Sequence, residues 1–374
     1  MTLLHRPWED MKRCVLNADG SVNYYLNPAN STLKAAGGAA DLSGADGNVM
    51  VEIPKFYFRY TRVGDVNTWS LRTEPLSGYT LHPAFVKAGV EVDYRYIGAY
   101  EACVYDDSAS AYISGLNLDN NTSRIDTAAD TLASVSGIYP MVGLTRNQNR
   151  LLAANNGTGW HQLDFALRSA VQMLYLVEHA DFNTDSILGV GNTNGGYLAS
   201  SANQNDSPHT IAGASNSLGN ASTDTTTGAG VNAKPGTSFM SYRGIENWYG
   251  NCWTWADGIN VNVAATGNVH VTNDYRDFAD GTAAGHTLIT SALPATSGFI
   301  RDLLNTGAYF LPSSNSGASS TTFITDQHFA SASASQVVVV GGGANTGADA
   351  GGFCLGSNRS ASEAVRRFGA RLAF

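Results

Sequence analysis

Charge is what this sequence has least of. Asp, Glu, Lys and Arg make up 14% of its 374 residues, well below the roughly 25% usual for soluble chains, so the surface has to be mostly neutral and polar. Lys and Arg never run longer than the pair Arg366-Arg367, and the formal net charge is −9. An electrostatic grip on a phosphate backbone is thereby excluded, and no nucleic-acid partner is expected. Cysteine is scarce as well. Cys14, Cys103, Cys252 and Cys354 stand far apart with no CxxC spacing, which argues against a zinc site or a dense disulfide frame and for free, mostly buried thiols. The histidines (His5, His82, His161, His179, His209, His270, His286, His328) form no HxH or HxxxH pair, so no metal ligand set is expected. Nothing approaches the ~18 uninterrupted apolar residues of a membrane span, and the opening MTLLHRPWEDMKRC has no apolar stretch of the length a secretory signal needs. Cytosolic synthesis without membrane insertion is the expectation.

What the chain does have is glycine, 40 residues of it, with abundant Asn, Ser and Thr, a composition of turns and loops. Short strand-like pieces open the chain. In SGADGNVMVEIPKFYFRYTRV, Asp46-Gly47 signals a turn, β-branched and aromatic residues dominate from Val49 to Tyr60, and Pro54 marks a bulge or an edge. A second aromatic-rich strand region begins at Leu81, which places a boundary near Ser77 to Pro83, and a polar run from Ser108 to Thr131 reads as loop. GTGWHQLDFALRSAVQMLYLVEHADF predicts the one strong helix. Trp160, Leu163, Leu167, Ala170, Val171, Leu174 and Val177 recur at helical spacing, and His161, Asp164, Arg168 and Gln172 fall on the opposite face with Asp164 and Arg168 at i,i+4. YPMVGLTRNQNRLLAAN predicts a shorter one before it, and Gly195 to Ser238 reads as a long insertion.

In SYRGIENWYGNCWTWADGINV, a strand after the Gly250-Asn251 turn puts Trp253 and Trp255 on one face. With Trp248 they define an aromatic core in a chain that has little other bulk to fill one. The chain closes on VVVVGGGANTGADAGGFCLGSNRSASEAVRRFGARLAF. It starts and ends as buried strand, and the residues between have no apolar period. If Val337–Val340 and the stretch from Phe368 to Phe374 are neighbouring strands, the segment between is a loop system mounted on the core at both ends.

These motifs carry a resemblance. A helix, then Tyr242-Arg243-Gly244-Ile245-Glu246-Asn247, Gly250-Asn251, Trp253, Trp255 and Asp257-Gly258, then Gly341-Gly342, Gly347, Ala350-Gly351, Phe353 and the closing Gly369-Ala370-Arg371-Leu372, resemble the C-type-lectin-like fold in the branch shared by formylglycine-generating enzymes and the variable proteins of diversity-generating retroelements. The upstream pieces DGNVMVEIPKFYFRY and GTGWHQLDF look like phage receptor-binding tail proteins of the major tropism determinant type, so the likeness spans most of the chain. Cys252 stands where the family usually has an aliphatic residue, and Ala344 where an aromatic is common.

The resemblance implies an α+β chain with a small N-terminal β region for assembly (residues 1–80) and a ligand-binding region (81–374) whose variable segment is 341–367. It implies a homotrimer at a virion tail tip, with tail-fibre proteins as partners and a bacterial surface receptor, protein or glycan, as ligand. The small or aliphatic positions would be the fixed frame. Gly343, Asn345, Thr346, Asp349, Cys354, Gly356, Asn358, Arg359, Glu363, Val365 and Arg367 would project from it to the ligand. No catalytic residue, metal or cofactor is expected. The fold alone does not decide between binder and enzyme, so two further readings stay open: an enzyme of the formylglycine-generating or related oxidase type, and a bacterial ligand-binding variable protein. An enzyme would act through Cys252 or Cys354, but Cys252 is expected in a core strand with no base in sequence reach. The lectin calcium motifs are absent. LDNNTSRIDTAAD offers Asp119, Asn121, Ser123 and Asp130 at EF-hand offsets, with Arg124 where Gly is required. Asp106-Asp107 on a strand end face opposite ways and read as turn residues, with Glu101 nearby.

Overall fold

A computed structural model describes residues 6–113, 122–194, 209–227 and 238–374. Strand accounts for 32% and helix for 14%, and only three α-helices occur among the described residues. The molecule is therefore β-rich, and the α+β class expected from the sequence is corrected. The reason is local. Many strands are only two to five residues long, such as Ser241–Tyr242, Ile245–Glu246, Gly298–Phe299 and Asp302–Leu303, too short to display a period of two within a Gly- and Ser-rich text.

Two large sheets organise the chain. The first has seven strands in the order His161–Gln162, Leu372–Ala373, Tyr94–Gly98, Asn48–Pro54, Lys12–Leu16, Val22–Asn27, Asn30–Lys34. Both of its faces are covered, which is why its central strands read as nearly continuous apolar runs. Val15, Val49, Val51 and Ile97 face the helix Phe165–His179 in the main core. Cys14, Leu16, Met50 and Tyr96 face the other way, onto Leu152 and Ala153 of the helix Arg146–Ala154. The sheet joins residues 12–54 to residues 94–98, 161–162 and 372–373. It thus runs across the boundary expected near residue 80 and does not leave the N-terminal part as a body of its own.

The second sheet has eight strands: Thr287–Thr290, Val269–Val271, Trp253–Val261, Gln336–Val340, Leu355–Arg359, Gln327–Phe329 and Gly298–Phe299 in order, with Phe368–Gly369 parallel to the start of Trp253–Val261. Thr254 pairs with Val340 on one side and Gly369 on the other. Gln336–Val340 and Phe368–Gly369 are consequently not neighbours, which corrects the pairing expected from the sequence. They flank one strand, and the chain's last residues, Leu372–Ala373, leave for the first sheet.

The long helix forms over Phe165–His179, later than its apolar spacing predicted: Trp160 and Leu163 precede it, and His161 lies in the strand His161–Gln162. Asp164 caps its N-terminus by accepting the Leu167 amide at 2.7 Å, and Ala180 closes it at a left-handed φ of 53°. Its polar face is corrected, however. His161, Asp164, Arg168 and Gln172 are all buried. Asp164 pairs with Arg95 at 2.7 Å, while Arg168 and Gln172 donate to backbone carbonyls elsewhere. The shorter helix carries a capping box between Thr145 and Gln148. Its Arg150 donates to both oxygens of Asp257 at 2.6 and 2.9 Å, which fixes the helix to the tryptophan strand.

The Gly/Asn motif before that strand is a set of left-handed turns joined by buried hydrogen bonds. Asn247 and Asn251 have φ of 48° and 57°, a conformation Asn tolerates better than most residues. Glu246 accepts from the backbone amides of Gly213 and Ser215 at 2.9 and 2.6 Å. Glu101 accepts from the Cys252 amide at 2.9 Å and from the Asn251 side chain. Arg371 donates to the carbonyls of Gly98, Glu246 and Asn247 at 2.8, 2.7 and 2.8 Å. No helix among the described residues is long and apolar enough to cross a membrane.

Candidate binding site

The segment 341–367 is not wholly irregular: it contains the strand Leu355–Arg359 and a short 3-10 turn, Gly347–Asp349. Its base is held by buried groups. The Gly352 carbonyl accepts from Arg168 at 2.7 Å and from Gln172 at 2.8 Å, and the Gly352 amide donates to Thr184 Oγ1 at 2.9 Å. A Cβ at Gly352 would lie 2.7 Å from the Trp248 ring, closer than real contacts allow, so this frame position demands glycine. Gly342, at φ 79°, is excluded from substitution in the same way by Ala350, 2.6 Å from where its Cβ would stand.

Next along the chain, the Phe353 amide donates to Asp326 at 2.6 Å. Asp326 is fully enclosed, and burial pushes its carboxyl up to about 7 despite that hydrogen bond. Arg168, stacked 4.6 Å over Trp248, is pushed down to about 9 by burial. The two flanks are tied by backbone. The Ala344 amide donates to the Asn251 carbonyl at 2.9 Å, the Gly347 amide to the Thr193 carbonyl at 2.9 Å, and the Trp253 amide to the Arg367 carbonyl at 2.9 Å. Anchoring at position 344 therefore works through the main chain and has no need of an aromatic side chain.

The proposed reading positions divide in two. Asn345 is exposed, and Thr346, Asp349, Asn358, Arg359, Glu363, Val365 and Arg367 are half-buried at the surface. Gly343, Cys354 and Gly356 are buried and do not face outward, contrary to the expectation that all eleven project. A Cβ on Gly343 would meet the Trp253 ring at 3.0 Å, and one on Gly356 would meet Val339 at 2.7 Å. Cys354 belongs to a small core with Trp253, Trp255, Val337, Val339 and Phe368, capped by Phe329, Ala361 and Val365. Sequence reasoning missed Asp326 and also Gln327, whose amide can donate to both Asp349 oxygens at 3.1 and 2.6 Å. Both come from short strands and turns between residues 298 and 329 that show no period.

The groups an enzyme would need are set differently from nucleophiles. Cys252 and Cys354 are 2% and 1% exposed. Burial first, and then the carboxylates of Glu101 for Cys252 and of Asp326 and Asp349 for Cys354, hold both thiols well above the ordinary thiol range. Glu101 is itself pushed up to about 7 by burial and is taken up by the Asn251-Cys252 turn. Asp106 accepts from Ser108 and the Ala109 amide as a turn residue. Of the EF-hand-like positions, Asp119 and Asn121 lie outside the described residues, and Asp130 accepts the backbone amides of Asp107 and Asp126. Among the described residues no three His, Cys, Asp or Glu side chains are grouped to hold a metal ion.

Asp326 yields a pH test of the frame. Its carboxyl lies at about 7 in the folded chain against 3.8 for the free group, so the folded state binds the proton more tightly than the unfolded one. The associated stability is fully present below about pH 4 and is lost as pH rises through about 7. Asp326→Asn keeps an oxygen for the Phe353 amide and removes the titration. The melting temperature of the variant relative to wild type should therefore move in the variant's favour between pH 5 and pH 8. A difference that is flat or falls over that range would contradict the role given to the buried carboxyl.

No protein-family model matches the chain, and no curated protein matches it.

Proposed function

We propose that the chain is a receptor-binding protein of a phage or prophage tail, which reads a bacterial surface molecule through the outer side chains of segment 341–367. The observation that carries this reading is the division of labour within the segment. Its backbone is fixed by Arg168, Gln172, Thr184 and Asp326, while Asn345, Thr346, Asp349, Asn358, Arg359, Glu363, Val365 and Arg367 reach the surface. A surface ordered before the ligand arrives loses little entropy on binding. Val365 packs against the Trp253 core, whereas the exposed side chain Asn345 can also change without disturbing that core, because exposed substitutions usually stay within about ±0.5 kcal/mol. This is what a surface under diversification requires. The enzyme reading finds less support, because both thiols in this half of the chain are enclosed and held protonated, the opposite of an activated nucleophile.

In this reading the protein acts as a homotrimer on a tail fibre. The tip of the hairpin Tyr57–Arg72, where Val63 and Val66 are 78% and 66% exposed, offers apolar surface for packing between copies. A stable monomer in light scattering at micromolar concentration would overturn this assembly.

The binding face itself is tested by two sets of variants. Joint replacement of Asn345, Asp349, Asn358, Arg359 and Arg367 by Ala should abolish or redirect adsorption to host cells with little change in melting temperature. Trp255→Ala should instead cost roughly 3–5 kcal/mol of stability, because that indole is fully buried, donates to the Leu144 carbonyl at 3.0 Å and packs edge-on against Phe368. If the loop set unfolds the protein and the tryptophan variant only weakens binding, scaffold and reader have been exchanged.

A further inference from the structure

Two guanidinium groups share one aromatic ring at the outer end of the segment. Arg359 ends the strand Leu355–Arg359, Arg367 precedes Phe368, and each guanidinium carbon lies 5.3 Å from the centre of the Phe368 ring. The ring is a fixed platform: Phe368 is fully buried, packs edge-on against Trp255 at 4.9 Å and pairs with Trp253. Stacking thus holds the two cations in place. Their hydrogen-bonding capacity is not used up, since the Nε of each is buried and has no hydrogen-bond partner.

Charge balance points the same way. Glu363 approaches Arg359 only at 3.6 Å and is 29% exposed, too long for a strong hydrogen bond and partly screened by water. Burial first, and then the neighbouring Arg367, hold the Arg359 guanidinium below its ordinary range, with Glu363 opposing. The pair repels itself, and one carboxylate, which also accepts the Ser360 amide at 3.1 Å, does not compensate two cations. This local excess of positive charge sits in a chain of net charge −9.

We infer that Arg359 and Arg367 form an anion-binding fork that takes a carboxylate or phosphate group of the receptor. Guanidinium planes match the oxygens of such a group in pairs, and an anion bound by both would relieve their repulsion. That the anion belongs to a receptor rests on the function proposed above; that the fork binds an anion does not.

The test is calorimetric titration of the full chain with sodium phosphate and, separately, with sodium acetate, at an ionic strength held constant by chloride. Saturable binding is expected for at least one of them, with a dissociation constant on the order of 1 mM, the affinity that a few charge-assisted hydrogen bonds supply. The arm that binds more tightly identifies the group. Arg359→Gln with Arg367→Gln should weaken binding at least ~10-fold, corresponding to the loss of about one such hydrogen bond or more. Glu363→Gln should strengthen it, because a competing carboxylate is gone. These opposite signs separate the proposal from a merely structural role, and Glu363→Gln decides alone if the double variant fails to fold. Absence of saturable binding in both arms, equal affinity in a folded double variant, or unchanged affinity in Glu363→Gln would overturn the fork. Host-cell adsorption separates this proposal from the function. Normal adsorption of a double variant that no longer binds phosphate or acetate leaves the fork standing and removes it from receptor reading. Loss of both anion affinity and adsorption in the five-residue alanine set, which removes both arginines, supports both.

Discussion

The position of the whole terminal segment depends on Arg371. Between Phe368–Gly369 in one sheet and Leu372–Ala373 in the other, its side chain is 2% exposed and donates to three backbone carbonyls, those of Gly98, Glu246 and Asn247. Enclosing a guanidinium is costly, and three charge-assisted hydrogen bonds are what make it tolerable. Burial holds Arg371 below its ordinary range even though Glu101 and Glu246 attract it, and burial likewise raises Glu101. Desolvation thus outweighs mutual attraction for both, and the geometry of the carbonyls, not an ion pair, is what fixes the arginine. Through Glu246 and Asn247 that geometry sets the left-handed turns, and the turns deliver Cys252 to Glu101 and Trp253 into its strand. That strand then holds Gln336–Val340 on one edge and Phe368–Gly369 on the other.

From this follows a separation between parts of the segment that cannot change and parts that can. Gly342, Gly352 and Phe353 are locked by close approach or by buried partners. Gly343 and Gly356 belong with them, because the Trp253 and Val339 side chains occupy the space a side chain there would need. Variation at those two positions would disturb the small core around Trp253. The outer polar residues lie at the surface and are not locked by close backbone approach, and a receptor-reading face fits them for that reason.

The sequence showed some of this and hid the rest. Most of the long helix, the short helix before it, the Gly250-Asn251 turn and the burial of Trp253 and Trp255 in one cluster follow from spacing and turn chemistry. The inward face of Arg168 and Gln172 was not legible, because a helix whose polar residues bind loop carbonyls has the same periodicity as one whose polar residues face water. The β-rich class was hidden by strands too short to carry a pattern. Inside the candidate site, the polar positions could be read as outward by their chemistry. A glycine gives no such sign, and the buried setting of Gly343, Gly356 and the small Cys354 emerges only when Trp253 and Phe368 are packed around them.

The central claim is that the segment stands ready on the core before any ligand is present. Backbone hydrogen exchange in the unliganded chain tests it most directly, since exchange reports how easily each local unit opens. The amides of Gly341, Gly352, Phe353 and Cys354, which donate to the Cys354 carbonyl, Thr184, Asp326 and the Gly351 carbonyl, should be protected to the same degree as those of Val337–Val340. Exposed residues such as Ser360, Ser362 and Ala364 should exchange rapidly. Uniform fast exchange from residue 341 to residue 367, with Val337–Val340 still protected, would mean that the segment orders only on binding and would contradict the account.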